Sequence, residues 1–299
     1  MSSMECSERR ENRYMDEPVQ SKKRQSIKKY WKSNWWKHIL QVVICIFYLI
    51  PFYVIVVMSL KSISDSSSRL SLPKKIYWGN YQSVFQSGMG RALINSLIIT
   101  VAVVFIEVIV GCMAAYPLAR NDSKLNRKIM NIFLAVMMIP GLSVLVGVYS
   151  LLSKIGGVNT YWGMILASVG FGLPTSIYLY SNFINSIPVS LDEAAIIDGA
   201  GAGQTFFYVL LPQLKPVTVT VIIMQSVGIW NEYMYSLYIL QKADMFTITL
   251  KISSYFSSAK QDYGGAAAAS VLGMIPIVVL YLALQKYFVK GAVDSAVKG

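Results

Sequence analysis

The sequence predicts an all-α integral membrane protein with six transmembrane helices, and three observations support that fold class. Apolar residues make up 55% of the 299 residues and charged residues only 14%, whereas soluble domains carry about 25% charged residues. The apolar residues are grouped in runs of about 20, the length that a helix needs to cross the bilayer core. Within these runs they are continuous and do not alternate with polar residues, as they would in strands of a membrane β-barrel.

Six runs meet or approach the length of a membrane span. They cover residues 39–60, 93–118, 129–152, 162–184, 217–240 and 265–288, and together they define one domain over residues 39–288. The second run contains an acidic residue, Glu107, and the fifth contains another, Glu232. A charge in the membrane interior costs about 2.5–3.5 kcal/mol on insertion scales, so we expect both to be paired or functional.

The N-terminal tail, residues 1–38, is basic and is predicted to end at the membrane surface. It holds 10 of the 27 Lys and Arg residues and 5 of the 15 acidic residues. Its last part, Lys22–His38, interleaves basic and aromatic residues, a pattern also found in nucleic-acid-binding segments. Beside a transmembrane run, Lys and Arg that face anionic lipid explain it better. We therefore expect membrane lipid and no nucleic acid as a partner, and disorder over residues 1–21.

The basic residues of the loops predict that both termini lie in the cytosol. The loop 119–128 holds four basic residues, whereas the next loop, 153–161, holds only Lys154. Short basic loops stay on the cytoplasmic side of a membrane. The loop 119–128 is therefore assigned to the cytosol, together with the N-terminal tail and a C-terminal tail over residues 289–299.

The cytosolic loop between the fourth and fifth runs, about residues 187–216, is unusually long, and long ordered loops are usually functional. Ser190 followed by Glu193 is a capping-box pattern, which predicts a helix that starts at Ser190. Gly199 would end this helix, because glycine adopts the positive φ of a sharp turn. A second short helix is predicted over residues 204–211. Two short helices at a bend suit docking into a groove of another protein.

The spacing of residues in this loop resembles the EAA loop of ABC importer permeases. That pattern is Glu-Ala-Ala, three residues, Gly, nine residues, Ile, any residue, Leu and Pro. The corresponding residues here are Glu193, Ala194, Ala195, Gly199, Val209, Leu211 and Pro212, with Val209 as the one departure. Gly79–Tyr81 and Asn95–Leu97 look like the family's region before and within the second span, and Trp230–Glu232 and Gln285–Gly299 look like the carbohydrate-uptake members. The resemblance covers nearly the whole chain beyond the tail, and it is closest to the smaller permease subunit of maltose-type importers.

The resemblance implies a type I ABC importer permease fold, in which the loop is a coupling helix that sits in a cleft of an ATPase subunit. The ATPase-coupling residues would be Glu193, Ala194, Ala195, Asp198, Gly199, Leu211 and Pro212. For Glu193, the alternative is that it merely caps its own helix. The sequence contains no G-x-x-x-x-G-K-[ST] pattern, so this chain is expected to bind no cofactor. ATP and Mg would be held by separate ATPase subunits.

A second candidate site lies in the fifth run, where aromatic and polar residues are adjacent. Trp230, Asn231, Glu232 and Tyr233 are predicted to line the path of a sugar substrate, because rings stack on its C–H face and polar groups bond its hydroxyls. The alternative is that these side chains form hydrogen bonds between helices or a seam with a partner permease. For Glu107, which belongs to no motif, bonding between helices is the better explanation.

The outer loop 241–264 is a third candidate site. By resemblance, Tyr255 and Phe256 would contact an extracytoplasmic sugar-binding protein. The resemblance also implies a second homologous permease subunit and two ABC ATPase subunits as partners. The expected location is the cytoplasmic membrane of a prokaryote, which the chain crosses several times.

Two other function classes stay open at this stage. A membrane enzyme would need a catalytic constellation, but the sequence has one His and three dispersed Cys residues, so neither catalytic residues nor a metal site is predicted. An ion- or proton-coupled transporter could use Glu107 and Glu232 as relays, but it would leave the EAA pattern unexplained. Among importers, sugar phosphates, polyols and glycosaminoglycan fragments are alternatives to neutral sugars.

Overall fold

The structure is a computed structural model that describes residues 35–257 and 262–297, with side chains as far as Phe256 in the first range and Gln285 in the second. The predictions for residues 1–34 of the N-terminal tail and for residues 298–299 lie outside these ranges. Within them, all regular secondary structure is helical and no strand occurs. This agrees with the predicted all-α class.

The helices of the described ranges are numbered here along the chain. The first six are α1 (Trp35–Ser59), α2 (Gly79–Gln86), α3 (Met89–Arg120), α4 (Lys124–Met137), α5 (Leu145–Lys154) and α6 (Tyr161–Ser186). The next six are α7 (Ser190–Ile197), α8 (Ala202–Gln213), α9 (Lys215–Trp230), α10 (Met234–Ile239), α11 (Ile248–Ser257) and α12 (Tyr263–Val297). Short 3-10 turns, Gly141–Val144 and Ala243–Met245, precede α5 and α11.

Four of the described helices are long and apolar enough to cross a membrane. They are α1, α3, α6 and residues Tyr263–Gln285 of α12, and they correspond to the first, second, fourth and sixth predicted runs. Two further spans are present if each of two bent helix pairs counts as one, which gives six. The bent pairs are α4 with Gly141–Lys154, and α8 with α9.

The third predicted run is not one straight helix. α4 ends at Met137, and the chain continues after a break at an angle of 93°. Pro140 explains the break, because proline has no N–H for the helix ladder and also disfavours helical backbone at the residue before it. Pro140 itself has extended backbone, and its carbonyl accepts the Ser143 N–H at 2.9 Å.

The fifth predicted run, 217–240, also differs from the structure, since its helix stops at Trp230. A break at Asn231–Tyr233 separates α9 from α10. The cause is local hydrogen bonding. The Asn231 side chain donates to the Val227 carbonyl at 2.8 Å, and the Glu232 carboxylate accepts the first N–H groups of α10. Side chains that bond nearby backbone groups compete with the helix ladder in this way.

By its internal packing the chain divides after Val54. In the first unit, the apolar side chains of α1 from Ile39 to Ile50 are exposed. Exposed apolar side chains over a continuous helix of this length suit contact with lipid or with another membrane chain.

The second unit, which begins at Ile55, contains three apolar clusters. The first joins α3, α6, α8 and α9 around Tyr180, Phe206 and Leu214. The second joins α3, α5, α6, α10 and α11, and the third joins α2, α3, α9, α11 and α12. Helix α3 contributes to all three clusters, so it is the central element of this unit.

Candidate functional site

The coupling loop, about residues 187–216, begins with α7, which starts at Ser190 as predicted but without the predicted side-chain cap. Val189 already has helical backbone, and its carbonyl accepts the N–H groups of Asp192 and Glu193. Ser190 is therefore inside the first turn, where its hydroxyl is not positioned as a cap, and the predicted capping box with Glu193 does not form. Glu193 is exposed, so its carboxylate is available to a partner.

Gly199 ends α7 as the sequence predicts. Its φ is +82°, a left-handed conformation that L side chains adopt only at a cost. The Gly199 N–H donates to the Ile196 carbonyl at 3.0 Å, and the Ala200 N–H donates to the Ala195 carbonyl at 2.9 Å. These two bonds are those of a Schellman motif, which satisfies the last carbonyls of a helix. The bend between α7 and α8 is thus fixed by the backbone.

α8 fastens the loop to the membrane helices. The side chains of Phe206 and Leu210 are buried, and Leu214 just beyond the helix is fully buried. The ring centroid of Phe206 lies 5.5 Å from that of Tyr116 on α3. Residues Thr205–Leu210 form a π-helical turn, and the helix continues through Pro212 instead of stopping before it as predicted.

The opposite side of the loop exposes large apolar side chains. Ile196 is 63% exposed, Ile197 86%, Phe207 52% and Tyr208 80%. Of the predicted coupling residues, five are exposed and two turn inwards. The exposed ones are Glu193, Ala194, Asp198, Gly199 and Pro212, while Ala195 is buried and Leu211 is half-buried. We call Glu193, Ile196, Ile197, Phe207 and Tyr208 the coupling face. Apolar side chains gathered outside a core mark an interaction surface.

An ion pair that the sequence did not predict holds α7 against α3. Arg120 Nε lies 2.6 Å from Asp192 Oδ2, and the two side chains are only 12% and 9% exposed. Arg120 Nη1 also donates to the Ile184 carbonyl at the end of α6, at 3.0 Å. Arg120 therefore ties together the ends of three helices. Breaking a buried pair by removing one partner costs several kcal/mol, because a charge is left uncompensated.

A cavity of about 460 Å³ lies between α3, α4, α6, α9 and α10. Its polar and aromatic lining residues are Glu107, Ser168, Phe171, Thr175, Gln225, Glu232 and Tyr235. The rings of Phe171 and Tyr235 lie 4.9 Å apart, and the Tyr235 hydroxyl donates to the Gly141 carbonyl at 2.5 Å. The break after Pro140 thus brings a backbone carbonyl to this wall. Apolar surface with a few convergent polar groups is typical of a ligand site.

Of the four predicted substrate-path residues, the structure brings only Glu232 to the cavity. Trp230 is buried, and its indole N–H donates to the Gly273 carbonyl on α12 at 2.9 Å. Asn231 is exposed and bonds to Val227, while the Tyr233 hydroxyl lies 3.1 Å from Ser253 Oγ. Trp230 and Tyr233 thus bond to other helices, which is the alternative given for them, whereas Asn231 bonds within its own helix.

Glu107 lines the same cavity from α3 and is fully buried. Ser176 donates to Glu107 Oε2 at 3.3 Å, and Gln225 donates to Ser176 Oγ and to the Gly172 carbonyl, each at 2.9 Å. These bonds agree with the expected role of bonding between helices. Gly172 lies so close to the Glu107 carboxylate that a Cβ atom would overlap Glu107 Oε1. Any larger residue at position 172 would force the Glu107 carboxylate to move.

The segment 240–257, part of the predicted outer loop, is fixed to α3 at its start. Asn95 donates to the carbonyls of Asp244 and Phe246 at 3.0 and 2.9 Å, and it accepts from the Tyr161 hydroxyl at 2.7 Å. Ser96 Oγ accepts the Ile248 N–H at 2.8 Å. Polar side chains of a membrane helix thus position this segment. The Asn95–Leu97 segment had been singled out only by resemblance.

The predicted contact residues for a binding protein, Tyr255 and Phe256, differ in their surroundings. The Tyr255 hydroxyl lies 2.6 Å from Ser87 Oγ, and Lys251 lies over its ring. Burial raises the pKa of the Tyr255 hydroxyl and lowers the pKa of the Lys251 ammonium group. Phe256 is 50% exposed. Phe256 therefore presents a surface, and Tyr255 anchors the helix that carries it.

Comparison with known proteins identifies the family. The pattern of the binding-protein-dependent transport system inner membrane components matches residues 107–293. The chain is 38% identical over 263 residues to the melibiose/raffinose/stachyose import permease protein MelC of Bacillus subtilis, which covers 87% of this chain and 95% of MelC. It is 35% identical over 280 residues to the multiple sugar-binding transport system permease protein MsmG of Streptococcus mutans, covering 91% of this chain and 100% of MsmG.

A solved structure confirms the predicted fold class. A chain of a bacterial ABC transporter involved in the import of the acidic polysaccharide alginate superposes with a TM-score of 0.73 at 21% identity, over 86% of this chain and 98% of that chain. The predicted permease family and the predicted type I importer fold are both confirmed. This chain belongs to the family of binding-protein-dependent transport system inner membrane components, and it is a membrane-spanning permease subunit and not an enzyme.

Proposed function

We propose that this permease subunit serves an ATP-driven importer of sugars or oligosaccharides. The observation that carries the proposal is the coupling face, where Ile197 and Tyr208 are 86% and 80% exposed on a loop whose other side is buried. A surface of this kind is stable only when a partner covers it. Two ABC ATPase subunits, which would hold ATP and Mg, are the partners that suit the EAA pattern of this loop.

The sugar class is supported by the relatives and by the cavity. MelC and MsmG carry sugar import in their names. The cavity presents hydroxyl, amide and carboxylate groups beside the rings of Phe171 and Tyr235. Such a wall can accept hydrogen bonds from sugar hydroxyls and pack on C–H faces. Melibiose, raffinose and stachyose are therefore the first substrates to test.

The orientation follows from the coupling face. If ATPase subunits bind α7 and α8, this loop faces the cytosol and both termini lie on the same side, as the positive-inside rule predicts. The segment with Tyr255 and Phe256 then faces outwards, towards an extracytoplasmic sugar-binding protein. A second, homologous permease subunit would complete the path through the membrane.

The mechanism derives from the way the loop is attached. Closure of the ATPase pair would move α7, and the buried pair of Arg120 with Asp192 would pass that movement to α3 and to the end of α6. Because α3 also carries Glu107 and Asn95, the cavity and the outer segment would shift with it. A loaded binding protein would favour one of the two states by binding it more tightly.

The test is uptake by the assembled importer. This chain is co-purified with the products of its neighbouring genes and placed in proteoliposomes, with ATP inside and the binding protein with radiolabelled melibiose, raffinose or stachyose outside. We expect uptake that requires ATP and the binding protein, and that is lost in Ile197→Asp and Tyr208→Asp variants. Uptake by this chain alone, without ATP, would contradict the proposal and support an ion-coupled transporter.

A further inference from the structure

The charged side chains that line the cavity are all acidic. Glu107 and Glu232 reach its wall from α3 and from the break after α9. The uncharged polar groups are Ser168, Thr175 and Gln225, and no Lys, Arg or His lines the cavity within the described part of the chain. The two acids of the wall therefore have no basic counterpart among the described residues that line the cavity.

Glu232 is held in a fixed orientation by the start of the helix that follows it, α10. Its Oε1 accepts the Tyr235 N–H at 2.8 Å, and its Oε2 accepts the Ser236 N–H at 2.8 Å and the Ser236 hydroxyl at 3.0 Å. These donors occupy three of the about four acceptor positions of a carboxylate, which leaves one for a ligand. Glu232 is thus an acidic side chain of fixed orientation at the cavity.

Glu107 is held as an acceptor by a directed chain of hydrogen bonds. The Gln225 amide donates to Ser176 Oγ, so the Ser176 hydroxyl proton points to Glu107 Oε2. Glu107 Oε1 has no hydrogen-bond partner among the residues described, although the atom is buried. A buried acceptor without a donor is costly, so it favours any ligand or neighbour that supplies one. Gly172 provides the room for this carboxylate.

We propose that the cavity admits uncharged and amine-bearing sugars and discriminates against anionic ones such as sugar acids and sugar phosphates. This inference rests on the proposed function and names the substrate class of the same site. Sugar hydroxyls and ammonium groups supply donors to Glu232 and, if the wall shifts to admit them, to the buried Glu107, whereas a carboxylate or phosphate group supplies none and is disfavoured by the acidic wall. Two unit charges about 10 Å apart, at an effective dielectric constant of about 20, change an equilibrium by about a factor of ten.

The experiment uses three matched probes with the importer in proteoliposomes. They are melibiose, the aldonic acid obtained by oxidising it, and the amine obtained by its reductive amination. The readout is the ratio of uptake of the acid to uptake of the amine. The ratio is expected to rise about tenfold in Glu232→Gln and in Glu107→Gln, and to fall in Gln225→Glu. Because every variant receives substrate from the same binding protein, the preference of that protein cancels.

Asp244→Asn is the matched control, since this acid is exposed at the outer face and pairs with Arg91 instead of lining the cavity. Its ratio should equal that of the unmodified importer. Binding of the three probes to the purified complex without binding protein is a second readout. Unchanged ratios in the glutamate variants, with melibiose uptake intact, would overturn the inference alone. Absence of ATP-driven melibiose uptake in the unmodified importer would count against the proposed function.

Discussion

The coupling loop and the cavity wall are both attached to α3, but they are held by different interactions. The loop is held by a buried ion pair at 2.6 Å and by the apolar packing of Phe206 and Leu210. The cavity wall is held by a sequence of hydrogen bonds from Gln225 through Ser176 to Glu107, with a last bond of 3.3 Å. The loop therefore has one strong attachment point, whereas the wall has several weak ones.

This difference suits the two proposed tasks, which are transmission of movement by the loop and ligand binding by the cavity wall. A loop that is fixed through Arg120 and Asp192 is expected to move with α3, so a movement imposed on α7 by the proposed ATPase partner would be passed to the membrane helices. A wall of weaker hydrogen bonds can exchange its partners for those of a ligand at low cost, because the net contribution of each bond is only about 0.5–1.5 kcal/mol. The following substitutions test this comparison, beginning with the largest expected effect.

Replacing Asp192 by Ala should have the largest effect. It leaves the Arg120 guanidinium buried without its counter-ion, at a cost of about 3–5 kcal/mol in the free energy of unfolding. We expect a lower thermal unfolding temperature of the detergent-solubilised complex and loss of coupled transport. Asp198→Ala, an exposed acid of the same loop, should change stability by less than about 0.5 kcal/mol. The exchange Arg120→Asp with Asp192→Arg should recover part of the loss, and equal stability of Asp192→Ala and Asp198→Ala would contradict the assignment.

Gly172→Ala should destabilise the cavity wall by about 1–3 kcal/mol, because the added methyl group overlaps the Glu107 carboxylate and forces a shift. Thermal unfolding in detergent measures the effect. Gly170→Ala on the same helix is the matched control, since no atom lies within 4 Å of its added Cβ. Combining Gly172→Ala with Glu107→Ala should relieve the overlap. If the double variant were no more stable than Gly172→Ala, the close contact would not be the cause.

Gly199→Ala should lower the free energy of unfolding by about 1 kcal/mol, because the φ of +82° is unfavourable for alanine. No steric overlap adds to this cost, since nothing lies within 4 Å of the added Cβ. Since the bend between α7 and α8 would be strained, stimulation of the ATPase by the binding protein should also fall. Gly201→Ala provides the comparison, because Gly201 has φ −74° and ample space. A Gly201→Ala variant as impaired as Gly199→Ala would show that the turn conformation is not the reason.

Phe256→Ala should have the smallest effect on stability, within about 0.5 kcal/mol, because its ring is half exposed. Its effect should appear in a different quantity, as a several-fold weaker stimulation of ATPase activity by the binding protein. Tyr255→Phe is the companion variant, which keeps the ring and removes the hydroxyl that lies 2.6 Å from Ser87. Full stimulation in Phe256→Ala would contradict the proposed contact of this segment with the binding protein.

Much of the coupling loop could be predicted from the sequence because its signals are local. The positive φ of Gly199 and the bend around it depend on neighbours within five residues. The exception is the cap of α7: the helix starts at Ser190 as predicted, but Val189 already has helical backbone and the Ser190 hydroxyl does not cap the helix. The ion pair joins Arg120 and Asp192, which are 72 positions apart, and no local pattern connects them.

The cavity could not be predicted in the same way, because five helices contribute to it. Trp230 and Glu232 are two positions apart, yet the Trp230 indole bonds to α12 and the Glu232 carboxylate lies at the cavity. Which of them turns inwards depends on the break at Asn231 and on the packing of α12. Glu107 and Glu232 stood out in the sequence as acidic residues within apolar runs, and both line the cavity. Nothing in the sequence marked Phe171, Gln225 and Tyr235 as lining residues.

The π-helical turn over Thr205–Leu210 makes the length of α8 as important as its composition. A π turn contains one residue more than an α turn, and each residue of a helix corresponds to a rotation of about 100°. Deleting one residue there would leave the side chains of Glu193, Gly199 and Pro212 unchanged and would still rotate the exposed Phe207 and Tyr208 relative to the buried Leu214. The nine-residue spacing is therefore a constraint on insertions and deletions, and α8 should tolerate many substitutions but no change of length.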